Sequence, residues 1–172
     1  MVYLYHYDSP IGRMTMTVQE DALTGIWFDG QRFFMNGIRD GQTLEGDCSL
    51  PVLDSAKHWL DEYFSGRNPA FLPVLRPAGT PFCQLVWHEL LNIPYGMTRT
   101  YGEIASELKR KTGRRTSARA VGNAVGHNPV SIMIPCHRVV GSSGKLVGYA
   151  GGLERKQFLL NLEKNLSISP EP

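Results

Sequence analysis

Residues 100–126 read TYGEIASELKRKTGRRTSARAVGNAVG, and the parsing of that stretch decides the fold. Thr100 and Glu103 stand at capping-box spacing, so a helix begins there with Ile104, Ala105 and Leu108 turned inward. A second helix is expected from near Ser117 to about Gly126, and the basic stretch KRKTGRR at 109–115 separates the two as a loop. Two short helices around a basic connection predict a helix-turn-helix.

The second helix has an unusual surface. Ala118, Ala120, Gly122, Ala124 and Gly126 alternate with Arg119, Val121, Asn123 and Val125. Small side chains let another backbone come close, which serves either a nucleic-acid backbone or a neighbouring helix of the same protein. Arg119, the single long cation of this helix, stands near its amino end among seven Lys/Arg between positions 99 and 119, an arrangement suited to phosphate.

Working outward, Thr80-Pro81 offers an N-cap hydroxyl followed by a proline at the first helical position, predicting a helix to about Leu91 with Phe82, Val86, Trp87 and Leu90 as its core side. Pro94-Tyr95-Gly96 then turns the chain. Before residue 80 the pattern changes. Residues 2–7, 14–18 and 23–28 are rich in β-branched and aromatic residues, with a turn at Ser9-Pro10-Ile11-Gly12, and read as a three-stranded antiparallel meander. A helix over about 52–64 should cover it through Ala56, Trp59, Leu60, Tyr63 and Phe64. Pro69, Pro73, Pro77 and Gly79 mark a linker. The expectation is an α+β chain of two small domains, 1–79 and 80–172, the second a mainly helical winged-helix or helix-turn-helix domain.

The 172 residues, 42% hydrophobic and 20% charged, exclude a multidomain machine and a disordered chain. The formal charge of +2 conceals six Lys/Arg against ten Asp/Glu in residues 1–79 and twelve against six in 80–172, so the halves carry −4 and +6. That asymmetry suggests a polyanionic partner for the second half. No apolar run reaches the roughly 18 residues of a membrane span, and the amino end lacks a signal-peptide pattern. A cytoplasmic protein, associated with the nucleoid if prokaryotic, is expected. Cys48, Cys83 and Cys136 are odd in number and widely spaced, which disfavours a disulfide framework. Five histidines in no CxxC or HxxxH spacing point to no metal, although ligands distant in sequence can converge. Cys83, on an early helix, reads as core.

Residues 132–140, IMIPCHRVV, place Cys136 and His137 in an apolar run that reads as a buried strand or extended segment. A lone buried cysteine is an inert small hydrophobe more often than a nucleophile. Here Pro135 stiffens the approach, and the adjacent imidazole and guanidinium are polar groups that could favour a thiolate.

PCHRV (135–139), RAVG-x-A-x-G-x-NP (119–129) and GYAGG-LERK-x-FLL-x-LE (148–163) together closely resemble the O6-alkylguanine-DNA alkyltransferases. The match runs continuously from about Thr80 to Glu163; over residues 1–70 it is one of layout, with the DSPIG-like opening at 8–12. The resemblance implies that Cys136 accepts the alkyl group of O6-alkylguanine by SN2 displacement, forming a thioether that ends the protein's activity. It implies that His137 deprotonates Cys136 through a water, because a side chain at i+1 of an extended segment points away. Glu163, at the end of the Phe158–Glu163 helix, would orient His137, Asn128 would hold the turn before the reactive segment, and Tyr101 would donate a proton toward the purine N3. Gly148, Tyr149, Ala150 and Val139 would wall the base pocket; some relatives carry serine where this chain has Ala150. Arg119 would fill the space left by a flipped nucleotide, with Thr100, Ala118, Ala120, Gly122 and Asn123 against the minor groove. The implied partner is double-stranded DNA carrying O6-alkylguanine, bound by a monomer with no cofactor and no metal. O4-alkylthymine as a substrate and cooperative binding on DNA stay open. Two other readings compete: a lesion sensor whose Cys136 is structural, and a thiol hydrolase that turns over.

Overall fold

The computed structural model describes residues 1–38, 43–45 and 49–167. Cys48 lies outside the described residues. The chain divides into two compact units, Met1–Ala78 with Pro129–Ser131, and Gly79–Asn128 with Ile132–Pro172.

The first unit opens with three antiparallel strands: β1 (Val2–Ser9), β2 (Gly12–Gln19) and β3 (Ala22–Phe28). Ser9 pairs with Gly12 across the Pro10-Ile11 turn. The β2–β3 turn places Glu20 (φ 48°) and Asp21 (φ 59°) both in the left-handed region, the backbone that suits the twist of a two-residue hairpin. Beyond the expected meander, β4 (Thr43–Glu45) adds parallel to β1, giving the order β3-β2-β1-β4. Helix α1 (Pro51–Phe64) buries Leu53, Ala56, Leu60 and Tyr63, and the sheet contributes Met14, Met16, Ile26 and Phe28 to the core.

The proline-rich stretch expected as a linker is partly sheet edge. Leu23 N–H donates to Val74 O and Arg76 N–H to Leu23 O, both at 2.8 Å. Further along β3, Ile26 N–H donates to Pro129 O and Ser131 N–H to Ile26 O. An edge strand presents unpaired backbone groups, and these two short segments satisfy them with no run of alternating apolar residues to announce the pairing.

The second unit is built on α2 (Pro81–Leu91), α3 (Tyr101–Thr112), α4 (Ala118–Gly126) and α5 (Leu153–Ser167), with β5 (Arg99–Thr100) and β6 (Val139–Val140) pairing in parallel. Its caps follow the sequence. Thr80 accepts from Cys83 N–H, Thr100 and Glu103 complete the reciprocal capping box, and Ser117 accepts from Ala120 N–H. Gly113 (φ 73°) closes α3 in the left-handed conformation that a Cβ disfavours. Helix α4 packs on α2 and α3, where Trp87 Nε1–H donates to Ala124 O at 2.8 Å.

Three boundaries differ from the sequence reading. Lys109–Thr112 form the last turn of α3, so the basic loop shrinks to residues 113–117. Cations favour a helix carboxyl end, where they meet the negative end of the dipole, and that preference makes a basic helix terminus look like a loop. Glu163 stands within α5, which runs on to Ser167. Residues 136–138 form a single 3-10 turn in place of an extended segment. Among the described residues no helix is long and apolar enough to cross a membrane, and no group of three His, Cys, Asp or Glu could hold a metal ion.

Candidate active site and nucleic-acid interface

The 3-10 turn follows from Pro135. Its φ of −81° and ψ of 65° are those of an inverse γ-turn, closed by Cys136 N–H donating to Ile134 O at 2.8 Å. The proline ring holds φ near that value, and its missing N–H removes a donor that a strand would use. Arg138 N–H then donates back to Pro135 O. With three residues per turn, the side chains of Cys136, His137 and Arg138 leave the backbone in three directions instead of alternating between two faces. All three residues are buried.

Two of those directions converge on α5. His137 Nε2 lies 2.7 Å from Glu163 Oε2, and Arg138 Nε donates to Glu163 Oε1 at 2.6 Å. Arg138 Nη1 donates to Ile93 O at 2.7 Å, and its guanidinium lies over the Tyr95 ring. Burial alone would raise the Glu163 carboxyl, but hydrogen bonds from His137 and Arg138 and the Arg138 charge outweigh it and hold the group below its ordinary value. Burial pushes His137 the other way, below the usual imidazole value, against the pull of Glu163. The stable state is a neutral imidazole beside a carboxylate. A carboxylate only accepts, so Nε2–H is the donor and Nδ1 carries the basic lone pair.

Cys136 is a free thiol, only 5% exposed. Burial raises it overall, and the Asn128 side chain, the Lys156 charge and the backbone N–H groups of Cys136 and His137 offset only part of that rise. Asn128, just beyond α4, also donates through Nδ2 to Ile134 O at 2.8 Å, so one amide holds both the turn and the thiol. Ile132, within this turn, has φ 71°, a β-branched residue in the left-handed region. Such strain costs about 1–3 kcal/mol and persists where the surroundings over-determine it.

The phenols of Tyr101 and Tyr149 both face the thiol electrostatically, and burial raises each of them, with Cys136 as the next cause. Tyr101, the first residue of α3, donates to Val147 O at 3.0 Å. Its ring lies against Gly122 of α4, where an added Cβ would stand 3.6 Å away. That is ordinary van der Waals contact, so Gly122 faces an internal neighbour without its missing side chain being required for the fit. The other expected interface residues vary in exposure: Ala118, Arg119 and Asn123 are exposed, while Ala120 and Thr100 are half-buried. Arg119 makes no ion pair with any described residue.

Of the expected pocket residues, Val139 and Gly148 are joined by a side chain that the sequence reading misses. Lys156 of α5 is fully buried and donates from Nζ to Val139 O at 2.5 Å and to Gly148 O at 3.1 Å. Tyr149 and Ala150 follow Gly148 in the same loop, both half-buried. Arg138, to which the sequence assigns no role beyond favouring a thiolate, proves to be the second partner of Glu163. A signal for both cations is present in the chain: Lys156, Leu159, Leu160 and Glu163 are spaced i, i+3, i+4, i+7, an apolar stripe with a charge at either end. Two charges on the core face of one helix need buried partners.

The structure thus gathers Cys136, His137, Glu163, Asn128, Tyr101, Tyr149, Val139 and Gly148 around one buried thiol. Ala118, Arg119 and Asn123 are exposed on α4, and Thr100 is the half-buried N-cap of α3, paired with Val140. Such a centre can form a thiolate beside a base that is itself oriented by a carboxylate, and the same unit carries an exposed cation, Arg119, that no described carboxylate pairs.

Residues 81–165 match the family description "6-O-methylguanine DNA methyltransferase, DNA binding domain", and residues 2–74 match the ribonuclease-like domain of the same proteins. A methylated-DNA–protein-cysteine methyltransferase of Mycobacterium tuberculosis (strain H37Rv) is 43% identical over 165 residues, covering 96% of this chain and 94% of the relative. One from Haemophilus influenzae is 39% identical over 164 residues, covering 95% and 87%. Among solved structures, Mycobacterium tuberculosis OGT in complex with DNA superposes at a TM-score of 0.81 and 42% identity, over 95% of this chain and 93% of that one. An O6-methylguanine DNA methyltransferase of Methanococcus jannaschii superposes at 0.64 and 26% identity, over 97% of both. Two domains matched in order across most of the sequence, with relatives aligned over nearly their full length, make this chain a member of the 6-O-methylguanine DNA methyltransferase family.

Proposed function

We propose that this protein repairs DNA by moving the alkyl group of O6-alkylguanine onto its own Cys136. The observation that carries the reading is the buried 3-10 turn that sets the Cys136 thiol beside Asn128 and next to a His137–Glu163 pair. His137 Nδ1 takes the thiol proton through a water. The thiolate sulfur then attacks the alkyl carbon, a carbon–sulfur bond forms, and the carbon–oxygen bond breaks with its electron pair leaving on guanine. Tyr101 gives up its hydrogen bond to Val147 O and supplies a proton toward the purine N3 as that charge develops. The thioether has no carbonyl for water to attack, so each molecule reacts once.

A thiol this buried does not reach a base stacked in a duplex, so the nucleotide leaves the helix and enters the space walled by Val139, Gly148, Tyr149 and Ala150. Arg119 fills the vacated position, while Thr100, Ala118, Ala120, Gly122 and Asn123 follow the minor groove. Binding is sequence-independent, through phosphate and sugar, and the protein acts as a monomer in the cytoplasm. O4-alkylthymine is a second candidate substrate of the same displacement.

The test is intact-mass and peptide mapping after incubation with duplex DNA containing O6-methylguanine. One methyl group on Cys136, no second turnover and no adduct in Cys136→Ala are expected. Wild type that binds the lesion without acquiring the methyl group would instead fit a lesion sensor, and repeated turnover would fit a hydrolase.

A further inference from the structure

Lys156 is a buried cation of the second unit with no carboxylate in an ion pair among the described residues. Arg138, the other buried cation beside the thiol, is matched by Glu163. Burying an ammonium is costly, and a methionine or leucine would fill the same face of α5 beside Leu159 and Leu160 without that cost. Its surroundings explain its presence. Two N–H donors go to Val139 O, three residues after Cys136, and to Gly148 O, in the loop that carries Tyr149. The anion its charge favours is the Cys136 thiolate, three residues before the Val139 carbonyl that Nζ holds.

Each element around the 3-10 turn carries titratable groups. From the 3-10 turn and α5 come neutral His137 and the Arg138–Glu163 pair, which cancels. From α3 comes the Tyr101 phenol, and from the 141–152 loop the Tyr149 phenol, with Arg155 of α5 beside it donating to Gly151 O. Burial raises both phenols, which stay neutral. Of these groups Lys156 is the cation whose charge bears on Cys136, whereas Arg155 bears on the Tyr149 phenol.

Resting on the alkyl-transfer reading, we propose that Lys156 is a positioning residue for the reaction: its ammonium stabilises the Cys136 thiolate and ties Val139 to Gly148, fixing the two sides of the base pocket. No bond forms or breaks at Lys156. Burial brings its own proton affinity down to about 8, with Cys136 opposing the fall, so the cation is present at neutral pH and is lost on moderate alkalinisation. The tie between the two carbonyls weakens over the same range.

Glutamine at 156 keeps N–H donors for the carbonyls but drops the charge; arginine keeps the charge. Full-length Lys156→Gln and Lys156→Arg are each checked for folding by thermal unfolding, and the pH dependence of iodoacetamide labelling is mapped to the Cys136 peptide. Lys156→Gln should raise the labelling midpoint by about one pH unit and slow single-turnover methyl transfer about tenfold near neutrality, while Lys156→Arg keeps the lower midpoint. A folded Lys156→Gln with the wild-type midpoint overturns the proposal. Should neither variant fold, NMR titration of Lys156 Nζ in wild type before and after methylation of Cys136 decides the matter. A lower midpoint once the thiolate is replaced by a thioether supports the interaction, and equal midpoints overturn it. Methyl transfer by wild type is the control on the underlying reading, because iodoacetamide labelling requires neither DNA nor guanine.

Discussion

His137 and Glu163 meet through a 2.7 Å hydrogen bond between Nε2 and Oε2, with neither residue exposed to solvent by more than 1%. The same carboxylate holds Arg138 through its other oxygen, so one charge both selects the imidazole tautomer and neutralises a buried guanidinium. Glu163→Gln removes both effects. The variant should lose about 3–5 kcal/mol of stability, the usual cost of leaving a buried charge unpaired. Under conditions where it is still folded, its single-turnover rate should fall by about 10²-fold or more, the low end of general acid–base contributions. Denaturant unfolding and rapid-quench methyl transfer measure the two losses separately; an unaltered rate in folded Glu163→Gln would remove the pair from the mechanism.

The same pair sets the acid sensitivity of the fold. Burial lowers the folded-state proton affinity of His137 below its ordinary 6.5, so below that value the unfolded chain binds the proton first and stability falls. The Glu163 carboxyl is also lower in the folded state than its ordinary 4.5, so its stabilisation is complete above that value and is lost as the pH drops through it. Both slopes have one sign. Thermal midpoints should decline in two stages on acidification, and Glu163→Gln should remove the lower stage. A midpoint level through both ordinary values would contradict this account.

Asn128 supports two groups with one amide, and its loss should be felt at both. Asn128→Ala leaves the Ile134 carbonyl without that donor, at a cost of about 1–3 kcal/mol for a buried polar group. It also removes one of the interactions that pull the Cys136 thiol down. Peptide-mapped labelling of Cys136 should therefore shift to higher pH in the folded variant. Loss of stability with an unmoved labelling profile would reduce Asn128 to a turn residue.

The helices and strands that bury a regular apolar face are legible in the sequence: α2, α3 and α4 start at Thr80, Thr100 and Ser117, whose hydroxyls accept from the backbone as their spacing implies. What escapes has a physical reason in each case. The turn at Cys136 lies in a run buried at every position, and a run with no exposed side to break the pattern has no period to read. The pairings of residues 74–76 and 129–131 with β3 are made by backbone groups, which every residue possesses. Lys156 is hidden because charge in sequence reads as surface, whereas its ammonium is satisfied by two carbonyls distant along the chain.

The redrawn boundary of α3 changes what the basic stretch can contribute to DNA binding. Arg110 is paired with Glu107, and Lys111 with Glu89 and Glu107, whereas Arg114 and Arg115 make no ion pair with any described residue. Replacing both Arg114 and Arg115 with glutamine should therefore lower the slope of log affinity against log salt by up to about 2, close to one counterion for each phosphate no longer neutralised. Arg110→Gln should leave it nearly unchanged. Fluorescence anisotropy across a salt series reads both slopes, and equal effects from the paired and unpaired cations would show that the α3 boundary has no bearing on the interface.

Arg119 offers the sharpest separation between binding and chemistry. It is exposed in the first turn of α4, and no described carboxylate neutralises it. If it occupies the space of the departed nucleotide, its truncation penalises only substrates that must be extruded, a step worth a few kcal/mol. Arg119→Ala should slow methyl transfer from duplex O6-methylguanine on the order of tenfold or more, while reaction with the free base O6-benzylguanine stays near wild type. Because the residue is exposed, stability should change by no more than about 0.5 kcal/mol. The loss should also shrink when the lesion lies in single-stranded DNA or opposite a mismatch, where less stacking must be broken. Equal losses on free base and duplex would place Arg119 in the reaction itself and refute its role in extrusion.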